Sequence, residues 1–126
     1  MAGTRLPSVR RELITTTVSI TLSADDLGKT VCNVGASDTV TVTLPAPATC
    51  TPGGDILVLS CADQTLTVTS GTADTLITLN DIAADSVSFG TSSEKAGGGF
   101  LFTCVGALWH CAPHITEAQT ITVVTN

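Results

Sequence analysis

The chain has 126 residues, a formal net charge of −6, 43% hydrophobic and 13% charged side chains, and no tyrosine. That length suits one domain able to bury a core without covalent staples, and no apolar run approaches a membrane span. A surface with about half the usual share of charge implies cover by neighbouring subunits or a lattice, and dispersed carboxylates exclude nucleic acid as the main ligand.

Residues 1–12 form a basic arm, with Arg5, Arg10 and Arg11 against Glu12; the body, residues 13–126, sets Lys29 and Lys95 against ten acids. Pro7 presets an extended backbone. The arm residues Arg5, Leu6, Pro7, Val9, Arg10 and Arg11 are therefore expected to lie across an acidic protein surface. The arm lacks the continuous apolar core of a signal peptide, so synthesis and first folding are expected in a reducing cytoplasm.

Beyond the arm, apolar residues alternate with threonine and serine. In "ITTTVSITL" the set Ile14, Thr16, Val18, Ile20 and Leu22 shares a face; in "TVTVTL" it is Val40, Val42 and Leu44. The pattern returns with Leu66 and Val68, Ile77 and Leu79, Val87 and Phe89, then Phe100, Phe102 and Cys104, and finally Ile121 and Val123. Side chains two apart share a face of a strand, so this spacing builds sheets with one apolar and one hydroxylated face. "DILVLS" is apolar on both faces and suits a central strand. Turn signals about every ten residues predict an all-β sandwich or jelly roll of roughly eight to ten short antiparallel strands.

Between these runs the punctuation is specific. Ser23 is placed to cap a single helical turn through Leu27, with Asp25 and Asp26 favourable in its first turn. Pro45 and Pro47 stop the strand ending at Leu44, and Pro52-Gly53-Gly54 turns the chain before Asp55. The glycines of "SSEKAGGGF" leave that stretch loosely constrained or packed closely on another backbone. Gly106 marks a tight turn between two strands, with Trp109 on the second, as core or as a subunit contact. Self-similarity at a fixed period is absent.

Chemistry is thinly provided. Cys104, His110, Cys111 and His114 cluster in sequence, but six residues separate the cysteines, and His110 and Cys111 face opposite ways on a strand, so no metal site is expected. Asp25 and Asp26 are adjacent, and Asp81 and Asp85 flank a loop "NDIAAD"; neither pair has a hydrolase or calcium signature. No serine sits in a nucleophile elbow, and "AGGGF" lacks the lysine of a phosphate loop. Cys32, Cys50, Cys61, Cys104 and Cys111 are odd in number and irregular in spacing, which fits buried small hydrophobes better than a disulfide framework. No catalysis and no cofactor are expected.

The order "TVTVTLPAPATCTPGGDILVL", "LTVTSGTADTLITLN", a serine- and glycine-rich stretch and "FLFTCVGALWHC", over about residues 15 to 112, resembles a β-rich module found on the outside of tailed-bacteriophage virions. There a strand ending in Leu-Pro leads to a Gly-Asp loop, an "LTV" strand and a late hairpin with glycine and tryptophan. Val105 stands where that hairpin usually has a polar turn residue. The resemblance implies a non-catalytic, trimeric β-sandwich or jelly roll serving as a capsid decoration (cement) protein or as part of a head or tail fibre that binds a host receptor. A single short module behind a basic arm favours decoration. The expected partners are then the major capsid protein and two further copies of the chain, with no nucleic acid and no membrane. The expected location is the capsid surface of the virion. The trimer contact is expected at Trp109, Ile121, Val123 and Val124.

Overall fold

The computed structural model describes residues 10–115 and 119–125. They form twelve strands: β1 (Leu13–Thr15), β2 (Ile20–Thr21), β3 (Thr30–Cys32), β4 (Val40–Thr43), β5 (Asp55–Leu59), β6 (Leu66–Thr69), β7 (Leu76–Thr78), β8 (Asp81–Ala84), β9 (Ser86–Phe89), β10 (Gly99–Cys104), β11 (Trp109–His114) and β12 (Thr122–Val124). A seven-stranded sheet runs β1-β3-β5-β10-β11-β7-β8 and a five-stranded sheet runs β12-β9-β6-β4-β2. The two sheets pack as an all-β sandwich.

The strands are not all antiparallel as the turn spacing suggests; both sheets are mixed. From β1 to β6 the chain alternates between the sheets, and each new strand lies parallel beside the one two before it. Leu13, Thr30 and Leu57 stack in one sheet, and Ile20, Val42 and Val68 in the other. The first half is thus a flattened coil of three windings. Antiparallel pairing enters later, where β10 joins β5 and β11, and β9 joins β6 and β12.

Local chemistry explains where strands begin and end. "ITTTVSITL" does not continue as one strand, because the Thr16 hydroxyl donates to Val18 O at 2.6 Å and accepts from Val18 N–H at 3.2 Å. That side-chain turn replaces ladder bonds and sends the chain to the other sheet. Ala24–Asp26 is a single 3₁₀ turn; Asp25 N–H donates to Ser23 Oγ at 3.3 Å and Ser23 N–H to Asp26 Oδ2 at 2.8 Å. A second such turn, Pro47–Thr49, follows the proline stop. Gly54 N–H closes the next turn on Thr51 O at 3.0 Å, and Cys104 N–H reaches Gly54 O at 2.8 Å. Val105 N–H donates to Leu108 O at 2.9 Å, closing the β10–β11 hairpin around Gly106.

Two segments differ from the pattern read in sequence. "NDIAAD" is not a loop; it supplies β8, paired with β7. Leu79 and Asn80, with φ of 46° and 69°, form the two-residue turn between them, a backbone that matches the twist of a tight hairpin. On β7 it is Leu76 and Thr78 that face inward, while Ile77 is half-buried and Leu79 is exposed. The register explains it: Leu76 lies opposite Trp109, whose side chain already points into the core.

The core fills the space between the sheets. Val31, Ile56, Val58, Phe100, Phe102, Leu76 and Trp109 come from the large sheet, and Val40, Val42, Leu66, Val68, Val87 and Phe89 from the small one. Phe89 stacks on Phe100 across the sheets with ring centroids 4.6 Å apart, an arrangement that adds to simple area burial. Trp109 is fully buried and donates from Nε1 to Pro45 O at 2.9 Å. β5 sits between β3 and β10, a central position that suits its two apolar faces. Gly98 and Gly99 take the close-packed alternative: a Cβ on Gly99 would stand 2.8 Å from Val58 O, and one on Gly98 2.7 Å from the Phe89 ring.

Candidate functional site

Three surface features stand out, and each follows from the strand order. The first is the outer face of the five-stranded sheet. With Val40, Val42, Leu66, Val68, Val87 and Phe89 turned inward, the alternate positions form two cross-strand rows. One runs Thr21, Thr43, Thr69, Ser86, and the other Thr41, Thr67, Ser88, Thr122. These rows carry hydroxyls and no charge.

The second feature is a groove of about 550 Å³ at the end where the parallel strands β2, β4 and β6 finish. Thr21, Ser23, Asp25, Thr43, Thr49 and Thr72 supply its polar lining. Among the described residues, Asp25 is its one ionisable group, and no histidine, cysteine, lysine or arginine lines it. Such a lining offers hydrogen bonds to a neutral polar group, with the Asp25 carboxylate beside it.

The third is a pair of apolar edges. β1 and β8 end the large sheet on opposite sides. On the β1 side Leu13, Val18 and Val34 are exposed by 58%, 64% and 49%. On the β8 side Leu79, Ile82 and Val124 are exposed by 53%, 77% and 43%. β12, the edge of the small sheet, is tied to this side: Asp85 N–H donates to Val124 O at 2.8 Å, and the Thr125 hydroxyl donates to Asp81 Oδ2. Single exposed apolar residues are ordinary on a protein surface; three along each side give a neighbouring copy apolar surface to cover.

The residues singled out in the sequence divide as follows. Arg5, Leu6, Pro7 and Val9 lie outside the described residues, while Arg10 is exposed at their border. Arg11 is not part of a free arm. Its guanidinium bridges Asp55 Oδ1 at 2.9 Å and donates to Thr30 Oγ1 and Lys29 O, each at 2.9 Å. Glu12 O accepts from Thr30 N–H at 2.8 Å, so the body already begins at Arg11. Trp109 is inside its own subunit and unavailable to a partner. Ile121 and Val123 pack partly on the core, and Val124 is exposed on β12.

The groups with reactive potential are spread apart or already engaged. Cys104 and Cys111 face the core, whereas His110 and His114 are exposed, so the four do not converge. Among the described residues no three of histidine, cysteine, aspartate and glutamate gather at one point. Burial pushes the Cys111 thiol up to about 12, which keeps it protonated. Asp85 Oδ1 accepts from Asp74 N–H at 2.7 Å, and Asp81 Oδ1 from Ala83 N–H at 2.9 Å. The Thr125 hydroxyl and then the Ala83 amide hold the Asp81 carboxyl below its ordinary value. These carboxylates fasten turns. Asp26 is held low first by the Ser23 backbone N–H and then by Lys29, whose ammonium lies 3.0 Å away.

Sequence reasoning missed the apolar edges and the groove. The hydroxyl rows were visible as Thr-Val-Thr repeats; the groove depends on which strand ends meet, and no local signal marks it. No protein-family model matches the chain, and no curated protein matches it either.

Proposed function

We propose that the chain is a structural protein of a tailed-phage virion, made in the host cytoplasm, that binds the outer capsid surface as a homotrimer and cements the shell. The observation that carries this reading is the pair of apolar edges on opposite sides of one sandwich. Two different patches that meet between copies make a head-to-tail contact, and such contacts close into a ring when the rotation allows. Leu13, Val18 and Val34 of one copy then cover Leu79, Ile82 and Val124 of the next, alongside Ile121 and Val123 on β12. The low charge and the resemblance noted in the sequence support the same reading.

Attachment to the major capsid protein rests on the segment ending at Arg10, with Arg5, Leu6, Pro7 and Val9. Three copies of a weak contact act together through effective concentration. Binding only the assembled lattice stabilises that lattice by mass action. No chemical step is part of this function. Sedimentation equilibrium at micromolar subunit concentration is expected to give a trimer, and Ile82→Asp with Val124→Asp a folded monomer that no longer decorates purified capsids. A wild-type chain that stays monomeric and leaves capsids bare overturns the proposal.

A second reading, a head or tail fibre module that binds a host receptor, is favoured by the hydroxyl-lined groove, whose volume is within the range of ligand sites. Copy number separates the two: hundreds per virion for decoration, a dozen or fewer for a fibre.

A further inference from the structure

We infer that Cys32 and Cys61 form a built-in disulfide site that closes when the protein meets a low-molecular-weight disulfide such as oxidised glutathione. β3 and β5 are neighbouring parallel strands with Cys32 opposite Leu59, so Cys61, two residues further on, lies diagonally beyond Cys32 on the same outer face. Cys61 N–H donates to Asn33 Oδ1 at 2.7 Å, which fixes the Cys61 backbone against the residue after Cys32. Asn33 is completely buried. Cys32 is the thiol beside Cys61: burial first, and then the Cys32 thiol, raise the Cys61 pKa.

The remaining cysteines are differently placed. Cys61 is the exposed one; Cys32, Cys50, Cys104 and Cys111 are buried. Cys50 and Cys104 lie near each other, but both are closed off from solvent, and the Cys104 thiol donates to Pro47 O at 3.4 Å. Cys61 is therefore the point of entry and Cys32 the resolving partner, needing no solvent access of its own. The Thr15 hydroxyl, 3.6 Å from Cys32 Sγ, is placed to donate to a thiolate there.

The chemistry balances without a metal or cofactor. Cys61 gives its proton to solvent, and its thiolate attacks one sulfur of the glutathione disulfide, releasing one glutathione thiolate that takes up a proton. Cys32, deprotonated in turn, attacks the Cys61 sulfur of the mixed disulfide and displaces the second glutathione. Two protein thiols are oxidised and one glutathione disulfide is reduced to two thiols. The bond staples β3 to the end of β5 and encloses β4 and the Pro47–Thr49 turn, tying two windings of the coil together. In a reducing cytosol the pair stays open, and in an oxidising medium it closes. The inference does not depend on the capsid reading.

The test uses the full chain, incubated with oxidised glutathione at mildly alkaline pH and analysed by thiol titration, intact mass and non-reducing peptide mapping. Expected are the loss of two of the five thiols, a mass lower by two hydrogens, a Cys32–Cys61 cross-linked peptide and a melting temperature raised by about 10 °C. Cys61→Ser, an exposed substitution that leaves the core intact, is expected to retain all its remaining thiols, while Cys111→Ser closes the bridge as the wild type does. A product that stops at glutathione on Cys61, a Cys61–Cys61 cross-linked dimer, a Cys50–Cys104 bridge or no thiol loss at all would each overturn the inference.

Discussion

Replacing Trp109 by Phe separates a core role from a subunit contact. Trp109 is 0% exposed, and its Nε1 donates to the buried carbonyl of Pro45 at 2.9 Å. Phenylalanine keeps an aromatic ring but removes the donor and part of the volume. An unpartnered buried carbonyl costs about 1–3 kcal/mol, and the incompletely filled space adds about 1 kcal/mol. The sum is about 3 kcal/mol, which for a urea m-value of about 1.5 kcal/mol/M moves the unfolding midpoint down by about 2 M. The assay is far-ultraviolet circular dichroism in urea, since the substitution removes the single tryptophan, at one fixed subunit concentration because association shifts apparent stability. A midpoint within 0.5 M or so of wild type, with an unchanged m-value, refutes the reasoning. So does a variant that dissociates into subunits of undiminished stability, because that is the signature of an interface residue.

Gly71 has φ of 75°, and a Cβ there would meet Leu44 O at 2.8 Å and Thr43 Cγ2 at 3.0 Å; Gly71→Ala is expected to cost about 2–3 kcal/mol in urea unfolding. Gly53, with φ of 88° and nothing within 4 Å of such a Cβ, isolates the backbone part, and Gly53→Ala is expected to cost only about 1 kcal/mol. Arg11→Ser removes the Asp55 pair and two further hydrogen bonds, so it lowers stability by about 1–2 kcal/mol and makes it less sensitive to salt, whereas Arg10→Ser leaves the midpoint unchanged. Asp26→Asn weakens the cap of the Ala24–Asp26 turn by about 0.5–1 kcal/mol at neutral pH. Because the folded carboxyl titrates below its unfolded value of 3.8, that contribution is present above 3.8 and lost as the pH falls through the folded value. Urea midpoints of wild type and variant should therefore converge at strongly acidic pH; a constant gap contradicts the cap's electrostatic origin.

Alternation was the reliable signal where turn chemistry was strong. Pro45, Pro47, Pro52 to Gly54, Ser23 and Gly106 all act in the folded chain as their residue types dictate, because each sets its own backbone locally. The parallel coil was hidden because its windings are unequal: the steps from Leu13 to Thr30 to Leu57 share no fixed period with those from Ile20 to Val42 to Val68. Thr16 broke a five-residue alternation through one hydroxyl, a contest between side chain and ladder that periodicity does not weigh. The inward turn of Thr78 follows from its neighbour Leu76 facing Trp109, a long-range fact. For the site, hydroxyl faces were legible from alternation alone. That Ile82 is left bare depends on β8 ending a sheet, and Arg11's engagement depends on Asp55 lying two strands across the sheet, on β5 beyond β3.

The order in which the strands leave the ribosome differs from the order in which they sit in the large sheet. β5 and β7 precede β10 and β11 in the chain, yet the later hairpin lies between them. Until residues 99–114 have been synthesised, β5 has a naked side and the β7–β8 hairpin has no strand of its sheet to dock on. Nascent chains of this protein therefore carry an open, aggregation-prone seam, and closing it is a late event that insertion of one hairpin completes.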